Sequence, residues 1–275
     1  MSISISTMVF KPKELMNVFN IIDKCGVMLE ISPAWDNSDF KAFLDDNSVL
    51  LSGVVNSFHE PYDIVEHSAK KGSPAHAKTI DLCERTLEYA QRLNARYMVY
   101  HFNNCDVDTH NSYIMKKRTY ENLLELNEIA AKYSVSLLVE NAGLSNNALY
   151  TEDEFVSLFD IINNACLLDI GHMNCNGWNM KNVIYSLKNR IGAYHIHNNY
   201  GIFDSHKRIV HGTIHMPHFF DYYRQYTPDA CIVLEYCAHA ITGAMELIED
   251  IRLVLDFLNS KVPNPRYFIL ETVAS

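Results

Sequence analysis

The sequence predicts an α/β protein, a single (β/α)8 TIM barrel over residues 1–275, from three observations. Eight short runs of β-branched and aliphatic residues are separated for the most part by stretches with helical periodicity. Runs such as Ala165-Cys166-Leu167-Leu168 are continuously apolar, as parallel strands covered on both faces are. Six runs finish in, or directly before, His59, His101, Glu140, Asp169, His195 and Glu235. A barrel gathers its strand ends into one mouth, whereas a doubly wound open sheet would not bring six of them to one site.

Taken in order, the strands are expected at Ile3–Phe10, Val27–Ile31, Val49–Phe58, Arg96–Phe102, Val135–Val139, Ala165–Asp169, Ala193–His197 and Cys231–Glu235. The first helix spans Lys13–Cys25, opened by Pro12 and closed by Gly26, the usual asymmetry of helix ends. Further helices are expected near Ala75–Leu93, Arg118–Tyr133, Thr151–Ile162, Met180–Leu187, His218–Tyr226 and Gly243–Leu258. Thr151 followed by Glu154 has the spacing of a capping box.

The formal charge is −10, from 33 acidic and 23 basic residues, so the far field repels polyanions and argues against nucleic acid as a partner. The one basic cluster, Lys116-Lys117-Arg118, reads as the solvated first turn of a helix. Seven scattered cysteines without a Cys-x-x-Cys pair favour reduced thiols and a cytoplasmic location over a disulfide framework. The N-terminal residues lack the positive start of a secretory signal, and no apolar stretch reaches membrane-spanning length. No strand leads into Gly-x-Gly-x-x-Gly and no nucleophile elbow occurs, which argues against nucleotide cofactors and a serine hydrolase.

Glu140, Asp169 and Glu235 each follow apolar strand residues directly, and a buried carboxylate is costly unless paired or bound to a cation. His195 and His197 lie on the same side of their strand by its period of two. Three carboxylates and an imidazole form a mixed oxygen and nitrogen shell suited to Mn²⁺, Mg²⁺, Co²⁺ or Zn²⁺. Taken singly, each of these residues reads better as a structural ion pair or a satisfied core histidine; four at equivalent strand ends reverse that balance. Asp169-Ile170-Gly171-His172 and Asp204-Ser205-His206 add carboxylate and imidazole pairs, expected on loops at the same mouth.

The segments Asp169-Ile170-Gly171-His172, His195-Ile196-His197-Asn198-Asn199-Tyr200-Gly201-Ile202-Phe203-Asp204-Ser205-His206 and Leu234-Glu235 resemble the xylose-isomerase-like barrel superfamily. His59 in Phe58-His59-Glu60-Pro61-Tyr62 and His101 in Val99-Tyr100-His101-Phe102 fall at matching places, so the resemblance covers most of the chain. That superfamily includes sugar and sugar-phosphate isomerases and epimerases, and the endonuclease IV phosphodiesterases. The epimerase branch implies one divalent metal held by Glu140, Asp169, His195 and Glu235. It further implies that Glu140 and Glu235 remove and return a proton beside a carbonyl, that the metal steadies the cis-enediolate, and that His172 contacts a substrate oxygen. The endonuclease branch implies three zinc ions, for which His59, His101, Glu140, Asp169, His172, His195, Asp204, His206 and Glu235 stand at the matching positions.

Two departures from the pattern stand out. Asn198 occupies the place of an aspartate in His-x-x-Asp, which is expected to alter support of His195; and the usual glycine pair is reduced to Gly212, with Val210 in the other place. Phe10 and Trp35 are expected either to wall a sugar ring or to pack in the barrel. Lys207, Arg208, His211 and His215 are expected either to touch a substrate anion or to be solvated, and the role of Glu30 is open. The leading expectation is a divalent-metal-dependent isomerase or epimerase of a sugar, sugar phosphate or related polyol. The alternatives are a metal-dependent phosphodiester hydrolase, an enolate-type lyase or dehydratase, or a barrel that binds a small molecule without turning it over. Self-association into a homo-oligomer is compatible with the sequence.

Overall fold

Strands β1 (Ile3–Ser6), β2 (Met28–Ile31), β3 (Val55–His59), β4 (Tyr97–Tyr100), β5 (Ser136–Glu140), β6 (Ala165–Asp169), β7 (Ile191–Ile196) and β8 (Cys231–Leu234) pair in parallel, each with the next. β8 returns to β1 through Ile232↔Ile3, Val233↔Ser4 and Leu234↔Ile5, closing the eight strands into a barrel. This is a computed structural model that describes residues 2–259.

The helices are α1 (Asn17–Cys25), α2 (Ser38–Asp46), α3 (Ser48–Leu51), α4 (Pro74–Arg92), α5 (Ser112–Lys132), α6 (Glu152–Leu158), α7 (Ile170–Cys175), α8 (Met180–Leu187), α9 (Met216–Tyr226) and α10 (Ala244–Leu258). Gly26 closes α1 at φ 65°, the left-handed conformation glycine adopts without a Cβ penalty. The Thr151 and Glu154 capping box opens α6, both hydrogen bonds being present. Among the described residues, no helix is long and apolar enough to cross a membrane.

The period-two geometry of the strands sorts their side chains into two cores. Tyr97, Val99, Leu138, Leu167, Ala193, Cys231 and Val233 fill the barrel interior as a separate cluster. Their outward neighbours, among them Met98, Tyr100, Val139, Leu168, Tyr194 and Ile232, belong to the larger core under the helices. The inward rows continue to the strand ends: Val99 leads to His101, Leu138 to Glu140, Leu167 to Asp169, Ala193 to His195 and Val233 to Glu235. Chemistry-bearing side chains therefore cap an apolar plug that costs about 1.5–3 kcal/mol per large side chain to expose.

Several boundaries differ from the sequence expectation. The expected first strand, Ile3–Phe10, stops at Ser6, because the Ser6 hydroxyl accepts from Met8 N (3.3 Å) and starts a tight 3-10 turn over Thr7–Val9. In the expected strand Val49–Phe58, the first residues form the helical turn α3, with Val49 85% exposed; pairing with β2 begins at Val55. Lys116-Lys117-Arg118 lies inside α5, a turn later than its start. Neither α2 nor α7 was expected. Asp169 caps α7 by accepting from His172 N at 2.7 Å, so Asp169-Ile170-Gly171-His172 is a strand end running into a helix instead of a loop.

Candidate metal and substrate site

Seven strand ends reach the mouth: Glu30 from β2, His59 from β3, Glu140 from β5, Asp169 from β6 and His195 from β7 lie on strands, while His101 and Glu235 directly follow β4 and β8. His195 is at the centre. Its Nδ1 faces three carboxylates, Glu235 Oε2 at 3.2 Å, Glu140 Oε1 at 3.4 Å and Asp169 Oδ2 at 4.0 Å. Helix α7, after β6, and the loop beyond β7 add the rest. His172 places Nδ1 at 3.3 Å from Glu140 Oε1 and Nε2 at 3.0 Å from Asp204 Oδ2, which also meets His206 Nε2 at 2.8 Å. The six strand-end residues singled out in the sequence, together with Glu30, His172, His197, Asp204 and His206, thus fall in one connected group.

A cavity of about 810 Å³ opens above this group. His59, His101, Glu140, His172, Asp204, His206 and Glu235 line it; Asp169, His195 and His197 lie beneath its floor, none of them more than 0% exposed. Tyr62 and Met8 supply apolar wall, the Tyr62 ring standing 5.3 Å from that of His59. Sequence reasoning passed over both, since nothing local marks a residue after His59 or in a 3-10 turn as part of the mouth.

The other residues weighed from the sequence lie elsewhere. Trp35 is packed in the core against Phe40 and Tyr89, its indole N–H donating to Thr86 Oγ1 at 2.9 Å, and Phe10 packs against that core. Arg208 turns away from the mouth to Asp250 on α10, and Lys207 Nζ sits 4.8 Å over the Tyr200 ring. His215 stacks on His218, and neither His215 nor His211 lines the cavity. Asn198 does not support His195. Its amide donates to Ile209 O and Ile214 O and accepts from Asn199 N and Ile214 N, stapling the 198–214 loop. An aspartate has no N–H for the two carbonyls, which accounts for the amide here.

Electrostatically the cluster is a set of buried groups holding each other charged. Burial opposes ionisation of Glu140, yet His195 and His101 keep its carboxyl well below the ordinary range. Asp169 is likewise held down to about 2 against burial, chiefly by His172 and His197. Burial works against protonated His59 and His206, but Glu140 holds the first up at about 9 and Asp204 holds the second up at about 9. His172 Nδ1 and Asp204 Oδ1 are buried and make no hydrogen bond, with ion contacts to Glu140 Oε1 at 3.3 Å and to His197 Nε2 at 3.5 Å respectively. Among the described residues, five trios of donor atoms, including His59, Glu140 and His195, and Glu140, Asp169 and His172, lie within 4.8 Å of one another. Buried atoms without a hydrogen bond, hard oxygen donors and imidazoles fit a divalent cation.

A cation at this cluster competes with protons, because the ligands bind it deprotonated. Since His59 and His206 keep their protons up to about 9, metal affinity should rise with pH through that range, and uptake should release protons. Calorimetric titration with Mn²⁺ at two pH values, in buffers of different ionisation heat, measures both; pH-independent affinity would contradict the expectation.

Gly171 is the tightest point of the floor. A Cβ built there would lie 1.9 Å from His197 Cε1, and His197 is itself stacked on His206 at 3.9 Å and bonded to Asp169 Oδ2 at 3.1 Å. Gly171→Ala should therefore destabilise the protein by about 1–3 kcal/mol and weaken metal binding by displacing His197. Urea unfolding measures the first, and an unchanged midpoint would contradict this packing.

The xylose isomerase-like TIM barrel family model matches residues 18–261. The chain belongs to that family. Solved structures show the same barrel. A D-tagatose 3-epimerase-like protein superposes with TM-score 0.78 at 18% identity, covering 95% of this chain and 98% of its own. The IOLI protein with a binding zinc atom gives 0.75 at 18% identity, with 96% and 100% covered. A D-psicose 3-epimerase with D-tagatose from Clostridium cellulolyticum H10 gives 0.73 at 15%, with 96% and 100% covered. At these identities the likeness of the xylose isomerase-like barrel to its neighbours is one of fold. No curated protein matches by sequence.

Proposed function

We propose that this protein, as one domain over 1–275, is a divalent-metal-dependent isomerase or epimerase of a small sugar-like polyol. Its ligands would be Glu140, Asp169, His195 and Glu235. The observation that carries the reading is His195 Nδ1 facing Glu140, Asp169 and Glu235, with both glutamates also open on the cavity. The epimerases among the structural neighbours and a cavity lined by carboxylates and imidazoles, roomy enough for a sugar, support it. Free cysteines and the net charge of −10 are consistent with a cytoplasmic protein that does not act on nucleic acid.

A bound divalent metal would supply Lewis-acid polarisation of a substrate carbonyl. The residues would do the rest. Glu140, kept ionised by His195 and His101, is a base at neutral pH, and Glu235 offers a second carboxylate to take or return a proton. His172, at the cavity wall and held between Glu140 and Asp204, can donate to a substrate oxygen. Tyr62 and Met8 present the apolar surface a sugar ring stacks on.

The test is solvent exchange. Incubation of the Mn²⁺-loaded chain in D2O with a panel of ketoses should place deuterium on the carbon beside the carbonyl, read by NMR. Formation of an epimer supports the proposal, formation of an eliminated keto product points to a lyase or dehydratase, and absence of exchange across the panel counts against proton abstraction. A second reading is favoured by one observation, that His59, His101, Asp204 and His206 line the same cavity, the first and the last two also standing in trios of donor atoms close enough to share an ion. A metal-dependent phosphodiester hydrolase would use them for a multi-metal cluster. Metal counted per chain separates the two: about one ion supports the isomerase, and two or three zinc ions with chelator-sensitive cleavage of an abasic-site duplex support the hydrolase.

A further inference from the structure

Three of the mouth's imidazoles share one orientation and His195 reverses it. His59 Nδ1 bonds to Glu60 O at 2.8 Å, His101 Nδ1 to Asn104 Oδ1 at 3.0 Å and His206 Nδ1 to Glu235 O at 3.0 Å, so each turns Nε2 toward the carboxylates of the site. His195 instead aims Nδ1 at the carboxylates, and its Nε2 lies 2.8 Å from Glu30 Oε1. Glu30 is wholly buried and does not line the cavity, and its other oxygen accepts from Ser57 Oγ at 2.8 Å. It stands on β2, which is not a neighbour of β7 in the barrel, and so reaches His195 across the interior. With Asn198 committed to the 198–214 loop, Glu30 is the carboxylate bonded to the side of His195 away from Glu140 and Glu235.

We propose that Glu30 is the positioning residue of the metal site: it accepts the Nε2–H of His195, which selects that tautomer and leaves the Nδ1 lone pair aimed at the metal. A metal-ligating histidine generally donates its other N–H to a carboxylate or carbonyl, and loss of that partner weakens metal binding by about 10–100-fold. Glu30 acts through His195 and touches neither substrate nor reacting atoms. The inference rests on the metal site proposed above.

The test is Zn²⁺ affinity of the full chain by calorimetry, compared for the unaltered protein, Glu30→Ala and Glu30→Gln, with ¹H–¹⁵N spectra of the histidine side chains. Glu30→Ala should lose about 10–100-fold in affinity. Glu30→Gln retains an oxygen that accepts the Nε2–H and should recover most of that loss. In the Zn²⁺-loaded unaltered chain, His195 should carry its proton on Nε2; that measurement needs no variant to fold. Zn²⁺ on Nε2, or equal affinity in all three proteins, would overturn the inference while leaving the metal site intact. No Zn²⁺ uptake by the unaltered chain would overturn the site and this inference with it.

Discussion

Glu235→Gln should lower exchange of solvent deuterium into substrate by about 10²–10⁴-fold while leaving the barrel folded. Glu235 follows β8 at the mouth, is 4% exposed, and sets Oε2 at 3.2 Å from His195 Nδ1 and 3.5 Å from His206 Nδ1. Glutamine keeps the volume and one acceptor, so packing is conserved. The contact that pins the neighbouring loop, His206 Nδ1 to the Glu235 carbonyl, is made by the backbone and survives. What the amide lacks is a carboxylate able to take up and return a proton. Circular dichroism, metal content and exchange rate measured on the same preparation distinguish the outcomes. Near-normal exchange would remove Glu235 from the acid/base role, whereas lost exchange with metal retained supports it.

Asp250→Ala should cost about 3–5 kcal/mol of stability, as removal of one partner of a buried ion pair does. Arg208, 8% exposed, gives Asp250 a two-pronged contact, Nε to Oδ2 and a terminal nitrogen to Oδ1, each at 2.9 Å. Asp250 Oδ2 also accepts from Tyr236 Oη at 3.1 Å, and that oxygen accepts from Ile209 N at 3.1 Å. The network ties α10, the segment after β8 and the loop carrying Asp204 and His206 together. Truncation leaves the guanidinium buried with Glu246 at 2.9 Å and Glu249 at 3.6 Å as its remaining partners. Urea unfolding at neutral pH, with the dependence on denaturant unchanged, reads the loss. A shift below 1 kcal/mol would mean that the pair is replaceable by Glu246, Glu249 and water. The same variant should weaken metal binding, because the freed loop carries two of the cavity's donors.

How far the site was legible depends on how local each signal is. Glu140, Asp169 and Glu235 each interrupt an apolar strand at its last step or just past it, and period-two geometry turns that into a direction, inward above Leu138, Leu167 and Val233. His59 and His101 carried the same signal. Glu30 did not stand out, because Met28 and Leu29 alone precede it in β2 and its partner lies 165 residues away. For Arg208 the sequence leaves a substrate contact and a solvated loop both open, and it is neither: the carboxylate that captures it is on the last helix. The sequence reading puts Asp169-Ile170-Gly171-His172 on a loop, whereas the side chain of Asp169, a residue also read as a strand end, caps helix α7 there.

The alternation of apolar strands and amphipathic helices, and the residue types closing each strand, are properties of near neighbours in the chain. They made the (β/α)8 class and the six carboxylate and imidazole residues at its strand ends legible. The tertiary structure decided which nitrogen of each imidazole faces the site, that Asp169, His195 and His197 lie under the floor while Glu140, Glu235 and His172 open on the cavity, and that Glu30 stands behind His195. Those outcomes depend on how the closed barrel brings non-adjacent strands such as β2 and β7 face to face. Closure is a constraint among all eight strands, and no stretch of sequence carries it by itself.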